Sequence, residues 1–353
     1  MLDPILRVKL GESIEYVRDG ILAGLVPFLQ GSPAIGKSAS IHAVAAELNL
    51  KVIDARFAGF DPTDMNGFPQ IDEKANIARY YPLETFPLDD WELPINEATG
   101  ERYAGWLVFC DELNSAIRAV QSASYKFFLD RMVGQRKLHP CAHICAAGNL
   151  DDDGAITEDM SSALISRLMV LECTEDFDFW LKWAQGPNGV RSLITSFLQW
   201  KTDCFYTFDN TNPDQPFAAP RSWQDANKLL DVWKGNPVGK LVPLAGKLNI
   251  GPAQEFITFA SMRLDLPRKD EVMANPKTAP QPGLDNPGAL YCLSGALGDW
   301  IKADTISGLM PYILRMPGDF QVITLKNAIR KDKSLIANPA LAEWVNTNAN
   351  VLL

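Results

Sequence analysis

The fold is decided by one stretch of eight residues, Gly31-Ser32-Pro33-Ala34-Ile35-Gly36-Lys37-Ser38. An apolar run at 25–30, LVPFLQ, precedes it and predicts a strand, whereas the segment after it has the apolar spacing of a helix. The stretch fits the pattern GxxxxGK[ST], whose glycines let backbone N–H groups surround phosphates. In that pattern Lys37 reaches the β- and γ-phosphates and Ser38 ligates magnesium. It therefore predicts a nucleoside triphosphate site with Mg²⁺, against the alternative of an ordinary glycine turn.

Further short apolar runs follow and alternate with helical segments. They lie at 51–57, 106–112, 143–149 and 169–173. Strands separated by helices predict a parallel, doubly wound α/β sheet, and ligands of such sheets lie at the carboxyl ends of the strands.

The strand signal fades from about residue 176, and the remaining segments have helical periodicity. Five prolines and several charges between 267 and 287 favour a surface loop or linker. We therefore expect an α/β domain at 1–175, a helical lid domain at 176–266, a linker at 267–287 and a helical extension at 288–353.

The charge balance limits the classes of partner. The 353 residues include 33 Lys plus Arg against 43 Asp plus Glu, a net charge of −10, which is the wrong sign for a broad nucleic-acid-coating face. Six cysteines are too few for a disulfide scaffold, the first residues lack the basic-then-apolar order that predicts a signal peptide, and no uncharged apolar run reaches about 18 residues. The sequence predicts a cytoplasmic protein with no membrane span.

Two adjacent acids end the run Trp106 to Cys110. At the carboxyl end of a strand Asp111 can hold Mg²⁺ through its water shell, and Glu112 can orient or deprotonate an attacking water. A P-loop kinase has no obvious use for the second carboxylate. The pair therefore favours hydrolysis, with two solvated acids as the simpler alternative.

Three other residues are candidates for contact with the γ-phosphate. Asn149 closes a strand in AAGN, Arg167 precedes a strand in SSALISRLM, and Arg221 opens a helix in APRSWQ. Asn149 could hold the phosphate and the water, Arg167 could reach a neighbouring subunit as an arginine finger, and Arg221 could sense nucleotide from the lid. Each alone is more often an ordinary turn or surface residue.

The set as a whole resembles the AAA+ ATPases. GSPAIGKS, WLVFCDEL, AAGN, MSSALISRL and PRSW are similar to their Walker A, Walker B, sensor 1, arginine-finger and sensor 2 elements, in that order. DPTDMNGFP, ARYYPLETFP, DELNSAIRAVQSASYKFFLDRMVG and ITEDMSSALISRL resemble the MoxR-like group within that superfamily. The resemblance covers about residues 20–265.

The resemblance implies an ATPase that uses ATP and Mg²⁺ in a homo-oligomeric ring, in most cases a hexamer. It implies the sensor and finger roles for Asn149, Arg167 and Arg221. It also implies chaperone-like remodelling of a protein client, often with a partner that carries a von Willebrand factor A domain.

Three functions remain in competition at this point. The leading one is the remodelling ATPase, and the others are a nucleic-acid motor or loader and a monomeric P-loop kinase. Tyr80 and Tyr81, within the long insert between strands, could line a pore that grips a client or could pack under the insert.

Overall fold

The computed structural model describes residues 7–74, 76–154, 157–187 and 189–347. The chain divides into two compact units, with the boundary between Asp176 and Phe177. No helix in these described ranges is both long enough and apolar enough to cross a bilayer.

The first unit contains ten strands and six helices within its described residues. In chain order they are β1 (Arg7–Lys9), α1 (Leu10–Leu22), β2 (Pro27–Gly31), α2 (Lys37–Glu47), β3 (Leu50–Arg56), α3 (Pro62–Asn66), β4 (Phe68–Asp72), β5 (Ile77–Tyr81), β6 (Gly105–Asp111), α4 (Arg118–Ala123), α5 (Tyr125–Asp130), β7 (Met132–Val133), β8 (Arg136–Lys137), β9 (Ala142–Gly148), α6 (Ser162–Ile165) and β10 (Met169–Thr174).

Six of these strands form one parallel sheet, in the order β1-β10-β2-β9-β6-β3. The strand β9 thus lies between β2 and β6. The register pairs Gln30 with Gly148 and Cys110 with Ala146, so the carboxyl ends of the three strands lie side by side. This arrangement brings three chain segments that are distant in sequence to one edge of the sheet.

Both faces of the central strands are covered, which explains why these strands are almost wholly apolar. Phe28, Val108 and Ala146 belong to a core that includes residues of α4, α5 and α6. Their strand neighbours Leu29 and Leu107 are also fully buried and face the other side, where α1 and α2 pack on the strands. The predicted parallel sheet flanked by helices is confirmed.

The second unit contains helices and no strand within its described residues, as the sequence predicts. Its helices are α7 (Phe177–Ala184), α8 (Ser192–Trp200), α9 (Pro220–Val232), α10 (Leu241–Leu248), α11 (Ile250–Met262), α12 (Lys269–Ala274), α13 (Pro287–Trp300), α14 (Ile306–Ile313), α15 (Gly318–Lys331) and α16 (Pro339–Thr347). One core surrounds Trp223, which contacts the rings of Phe197 and Phe256. A second core is formed by residues of α12, α14, α15 and α16 together with one side of α13.

The proline-rich segment 267–287 differs from the expected linker. It contains α12, and its Val272 and Ala279 are buried in the second helical core. The Tyr312 hydroxyl donates to the Pro280 carbonyl at 2.6 Å, and the Arg315 guanidinium donates to the Ala279 carbonyl at 2.9 Å. The segment is held because its backbone carbonyls find donors on α14 and the turn after it.

The long insert between β3 and β6 contains an antiparallel hairpin of β4 and β5. Tyr80 and Tyr81 are 45% and 53% exposed, so neither ring is packed under the insert. Phe68, Ile71 and Ile77 of the same hairpin are exposed as well. The hairpin therefore presents apolar and aromatic side chains to solvent.

Candidate nucleotide-binding site

The loop after β2 has the backbone shape that its two glycines allow. A Cβ on Gly31 would lie 2.5 Å from the carbonyl oxygen of Cys173, so only glycine fits between β2 and β10. Gly36 has a φ of 114°, a conformation that other residues rarely adopt. The chain can then turn into α2 at Lys37, where the first N–H groups of the helix face outward and favour an anion.

The Lys37 ammonium ties this loop to the end of β9. The residue is 8% exposed, and Nζ donates to the carbonyl oxygens of Gly31 at 2.6 Å and Ser32 at 2.9 Å. It also lies 3.3 Å from Oδ1 of Asn149. The structure thus brings together the lysine and the asparagine that the sequence singles out, 112 residues apart.

A hydroxyl and a carboxylate meet next to the lysine. Ser38 Oγ donates to Oδ2 of Asp111 at 3.1 Å. Asp111 is the last residue of β6, and Ser38 is in the first turn of α2. Hard oxygen donors of this kind suit Mg²⁺, which is usually held by one or two carboxylates, phosphates and waters. The donor set therefore fits the predicted metal.

Glu112 follows in a strained backbone conformation. Its φ and ψ are 57° and 37°, in the left-handed region, and its N–H donates to Oδ1 of Asp111 at 3.0 Å. Such a residue costs about 1 to 3 kcal/mol and is concentrated at functional sites. The Glu112 carboxylate accepts no hydrogen bond from another described residue and makes no ion pair with one. It is therefore available to a water or a substrate.

Asn114 is a site residue that the sequence reasoning did not single out. It is 1% exposed, its Nδ2 donates to the carbonyl oxygen of Asn149 at 2.7 Å, and its Oδ1 accepts from the N–H of Asn149 at 3.2 Å. A Cβ on Gly148 would come within 2.3 Å of that Oδ1, so glycine lets the two segments approach. The available signal was a polar side chain just after a buried strand that ends in two acids.

Gln30 supports the same backbone from β2. Its Nε2 donates to the carbonyl oxygen of Asn149 at 3.3 Å. Asn149 is therefore held by side chains from both neighbouring strand ends, and its own amide is left to face Lys37.

Arg167 lies on the segment between α6 and β10. Its guanidinium lies 5.4 Å from the centre of the Tyr125 ring, and Nη1 donates to the carbonyl oxygen of Ala163. Its Nε is buried and has no hydrogen-bond partner among the described residues. The structure therefore does not bring Arg167 into contact with Lys37, Asp111 or Asn149.

Arg221 belongs to the second unit and is the second residue of α9, after Pro220. Its side chain is exposed. It is thus at a helix start, as the sequence predicts, and is not among the residues that the first unit brings together.

Burial favours the protonated form of three thiols in the strands of this sheet. Burial raises the pKa of Cys173 to about 11, although a hydrogen bond from Ser13 and the charge of Lys37 act in the opposite direction. Burial also raises the pKa of Cys110 and Cys145. Because the thiolate is the reactive form, these cysteines offer no nucleophile, and the chemistry rests on oxygen and nitrogen groups.

The sequence matches no protein-family model and no curated protein. Among solved structures, a candidate ATPase from Cytophaga hutchinsonii is similar at 11% identity and a TM-score of 0.34, over 97% of this chain and 89% of that one. The RuvB Holliday junction branch migration motor of Thermotoga maritima is similar at 15% identity and a TM-score of 0.35, over 87% and 86% of the two chains. NtrX from Brucella abortus is similar at 14% identity and a TM-score of 0.33, over 90% and 66%.

Proposed function

We propose that this chain is an ATPase of the AAA+ class, which binds ATP with Mg²⁺ at residues 31–38 and hydrolyses it. The observation that carries the proposal is the hydrogen bond of 3.1 Å between Ser38 and Asp111, directly before the free carboxylate of Glu112. A glycine loop alone binds phosphate. The two acids add the groups that a hydrolase needs.

The geometry supports a separate role for each of these groups. The loop N–H groups and Lys37 would hold the β- and γ-phosphates, and Ser38 and Asp111 would hold Mg²⁺. Bound Mg²⁺ neutralises charge that develops on the phosphate oxygens. Glu112 would orient or deprotonate the attacking water, and the Asn149 amide, fixed by its backbone contacts, would align that water with the γ-phosphate.

We further infer a ring in which Arg167 serves a neighbouring subunit. Within its own unit the guanidinium lies against the Tyr125 ring and the Ala163 carbonyl, and it does not contact the loop. An arginine finger given in trans is worth about 10³ to 10⁵ in rate. Arg221, at the start of α9, is proposed as the sensor on the lid, and six subunits are proposed from the resemblance to the MoxR-like group.

We propose a protein client that is remodelled as ATP is turned over. The exposed aromatic side chains of the β4–β5 hairpin, Tyr80 and Tyr81 among them, support contact with an extended polypeptide. A von Willebrand factor A-domain partner is proposed on the resemblance alone.

All six cysteines are free, which supports a reducing compartment, and we propose the cytoplasm.

The test is a comparison of Glu112→Gln with Lys37→Ala. We expect Glu112→Gln to lower the turnover of ATP about 100-fold or more while the affinity for ATP stays within about threefold, because the carboxylate acts on water and not on phosphate. Lys37→Ala is expected to weaken ATP binding itself. Glu84→Gln, at an exposed carboxylate of the same unit, is the matched control and should change neither quantity.

Several results would contradict the proposal. Full turnover by Glu112→Gln would remove the hydrolytic role, and phosphate transfer to an added acceptor by a monomer would indicate a kinase. Stimulation of turnover by DNA or RNA, with binding that weakens as salt rises, would replace the protein client with a nucleic acid. The Glu112→Gln protein in ATP can also be used to retain and identify the client.

A further inference from the structure

Four cationic side chains line one cavity of the second unit. The cavity has a volume of about 450 Å³, and the cations are those of Arg191, Lys234, Arg263 and Lys331. We refer to it as the basic cavity. Its size is in the range of ordinary ligand pockets, about 300 to 1,000 Å³.

Among the residues that the structure describes, two carboxylates offset these four charges. Asp231 pairs with Arg191 at 2.7 Å. Asp299 pairs with Lys331 and also accepts a hydrogen bond from the Ser192 hydroxyl. The side chains of Lys234 and Arg263 make no hydrogen bond or ion pair with another residue that the structure describes. The cavity therefore carries an excess of two positive charges, in a chain whose net charge is −10.

The helices explain how the folded protein holds these cations together. Lys234 lies just after the end of α9, Arg263 caps the end of α11, and Lys331 is the last residue of α15. The negative end of a helix dipole stabilises a cation by about 0.3 to 1 kcal/mol. Helix ends therefore help to stabilise three of the four positive charges. Each cation does not need its own carboxylate, so the cavity keeps a net positive charge.

Two backbone features add to the preference for an anion. The helix α8 begins at Ser192, and Ser192 and Leu193, whose N–H groups lie in its unbonded first turn, both line the cavity. Gly235 has a φ of 84°, and a Cβ there would lie 3.3 Å from Nη1 of Arg191, so glycine leaves room for this guanidinium. Guanidinium, ammonium and N–H donors together are the groups that bind phosphate oxygens.

We propose that the basic cavity binds a compact, multiply charged phosphorylated anion, with inorganic pyrophosphate as its simplest form. No aromatic side chain is among the described residues that line it, so a nucleobase would find no stacking surface there, and the phosphate groups carry the recognition. The residues involved are separate from those of the loop at 31–38. The proposal therefore does not depend on ATP hydrolysis.

The experiment titrates pyrophosphate into the full-length protein by calorimetry. The Lys37→Ala substitution is present in every sample, so that phosphate binding by the loop at 31–38 is weakened. We expect one saturable site, with affinity that falls about tenfold in Arg263→Gln and in Lys234→Gln, the worth of one charged hydrogen bond. Sulfate, which carries less charge, should bind more weakly.

Lys240→Gln and Arg268→Gln are matched controls, because both positions are exposed in the same unit and outside the basic cavity. They should keep the affinity within roughly twofold. Thermal unfolding of each variant checks that the unit is folded. The proposal is wrong if no saturable binding is seen up to about 1 mM, if all variants bind alike, or if sulfate binds as tightly as pyrophosphate.

Discussion

Asn114 holds the backbone of Asn149 through both of its polar groups, donating to the carbonyl oxygen at 2.7 Å and accepting from the N–H at 3.2 Å. The side chain of Asn149 in turn lies 3.3 Å from the Lys37 ammonium. The three residues connect the turn after β6, the end of β9 and the glycine loop. In the proposed reaction Asn114 is thus a positioning residue, acting through Asn149.

Replacement of this buried amide should affect the rate more than the binding of ATP. In Asn114→Ala both polar groups of the Asn149 backbone lose a partner, so the amide that aligns the water is no longer fixed. We expect kcat to fall about tenfold or more, with KM within roughly threefold. Steady-state measurement of ATP turnover provides both values.

Gln121→Ala is the control for a loss that is only structural. Gln121 is 4% exposed, and its Nε2 donates to the carbonyl oxygen of Ala116 at 3.0 Å. Both variants orphan a buried group and should lower the free energy of unfolding by about 1 to 3 kcal/mol. Equal kcat values for the two variants would exclude a positioning role for Asn114.

The sequence predicts the loop, the strand with its two acids and the sheet because each is a local pattern. Asn114 was missed because its role depends on β9 lying between β2 and β6, and on Asn149, which is 35 residues away. Spacing along one chain segment does not reveal such a contact. The order of the strands in the folded sheet reveals it, and that order is not written in any one segment.

Two other elements were missed for different physical reasons. The strand β1 has only three residues, Arg7–Lys9, too few to establish an alternation. The hairpin β4–β5 is exposed on both faces, from Phe68 to Tyr81, so no apolar period distinguishes an inner face from an outer one. A hydrophobic period arises only where one face of an element is buried. Segments without a buried face therefore cannot be predicted from it.

The pair of Ser38 and Asp111 predicts how turnover depends on magnesium. Removal of the hydroxyl in Ser38→Ala takes away one proposed ligand, so we expect more Mg²⁺ to be needed for half-maximal turnover, by about tenfold. Asp111→Asn should raise that requirement as well, because a neutral amide attracts the cation less. ATP turnover measured across a Mg²⁺ titration checks this. A Mg²⁺ requirement unchanged in both variants would remove these residues from the metal site.

The close approach of β2 and β10 predicts the effect of one added methyl group. In Gly31→Ala the new Cβ would lie 2.5 Å from the carbonyl oxygen of Cys173, so the strands must separate. We expect a loss of about 1 to 3 kcal/mol in the free energy of unfolding. Gly59→Ala is the control, since a Cβ there meets nothing within 4 Å. Urea denaturation of both variants measures the difference, and equal losses would contradict the steric explanation.

The ion pair between Arg7 and Glu172 ties β1 to β10. Nε of Arg7 donates to the Glu172 carboxylate at 2.6 Å, and the Glu172 side chain is 6% exposed whereas the Arg7 side chain is 54% exposed. Arg7→Ala leaves a buried carboxylate without its cation, so we expect a loss of about 1 to 3 kcal/mol, less than for a pair buried on both sides. The double variant Arg7→Ala with Glu172→Gln should recover part of the loss. If the double variant loses the sum of the two single effects, the residues are not coupled.

Arg167 gives the sharpest test of the proposed ring. If it completes the site of a neighbouring subunit, a ring of Arg167→Ala subunits has intact loops but no finger, and a ring of Lys37→Ala subunits has fingers but no working loop. Each variant alone should lose ATP turnover, Arg167→Ala by about 10³-fold or more. Mixing the two before assembly places an intact loop next to an intact finger at some interfaces, so turnover should return to a measurable fraction of the normal rate.

Arg118→Ala, which removes an exposed guanidinium paired with Glu158 in the same unit, is the matched control and should keep its activity. Mixtures that stay as inactive as their components, in rings shown by mass to contain both variants, would mean that Arg167 does not act between subunits.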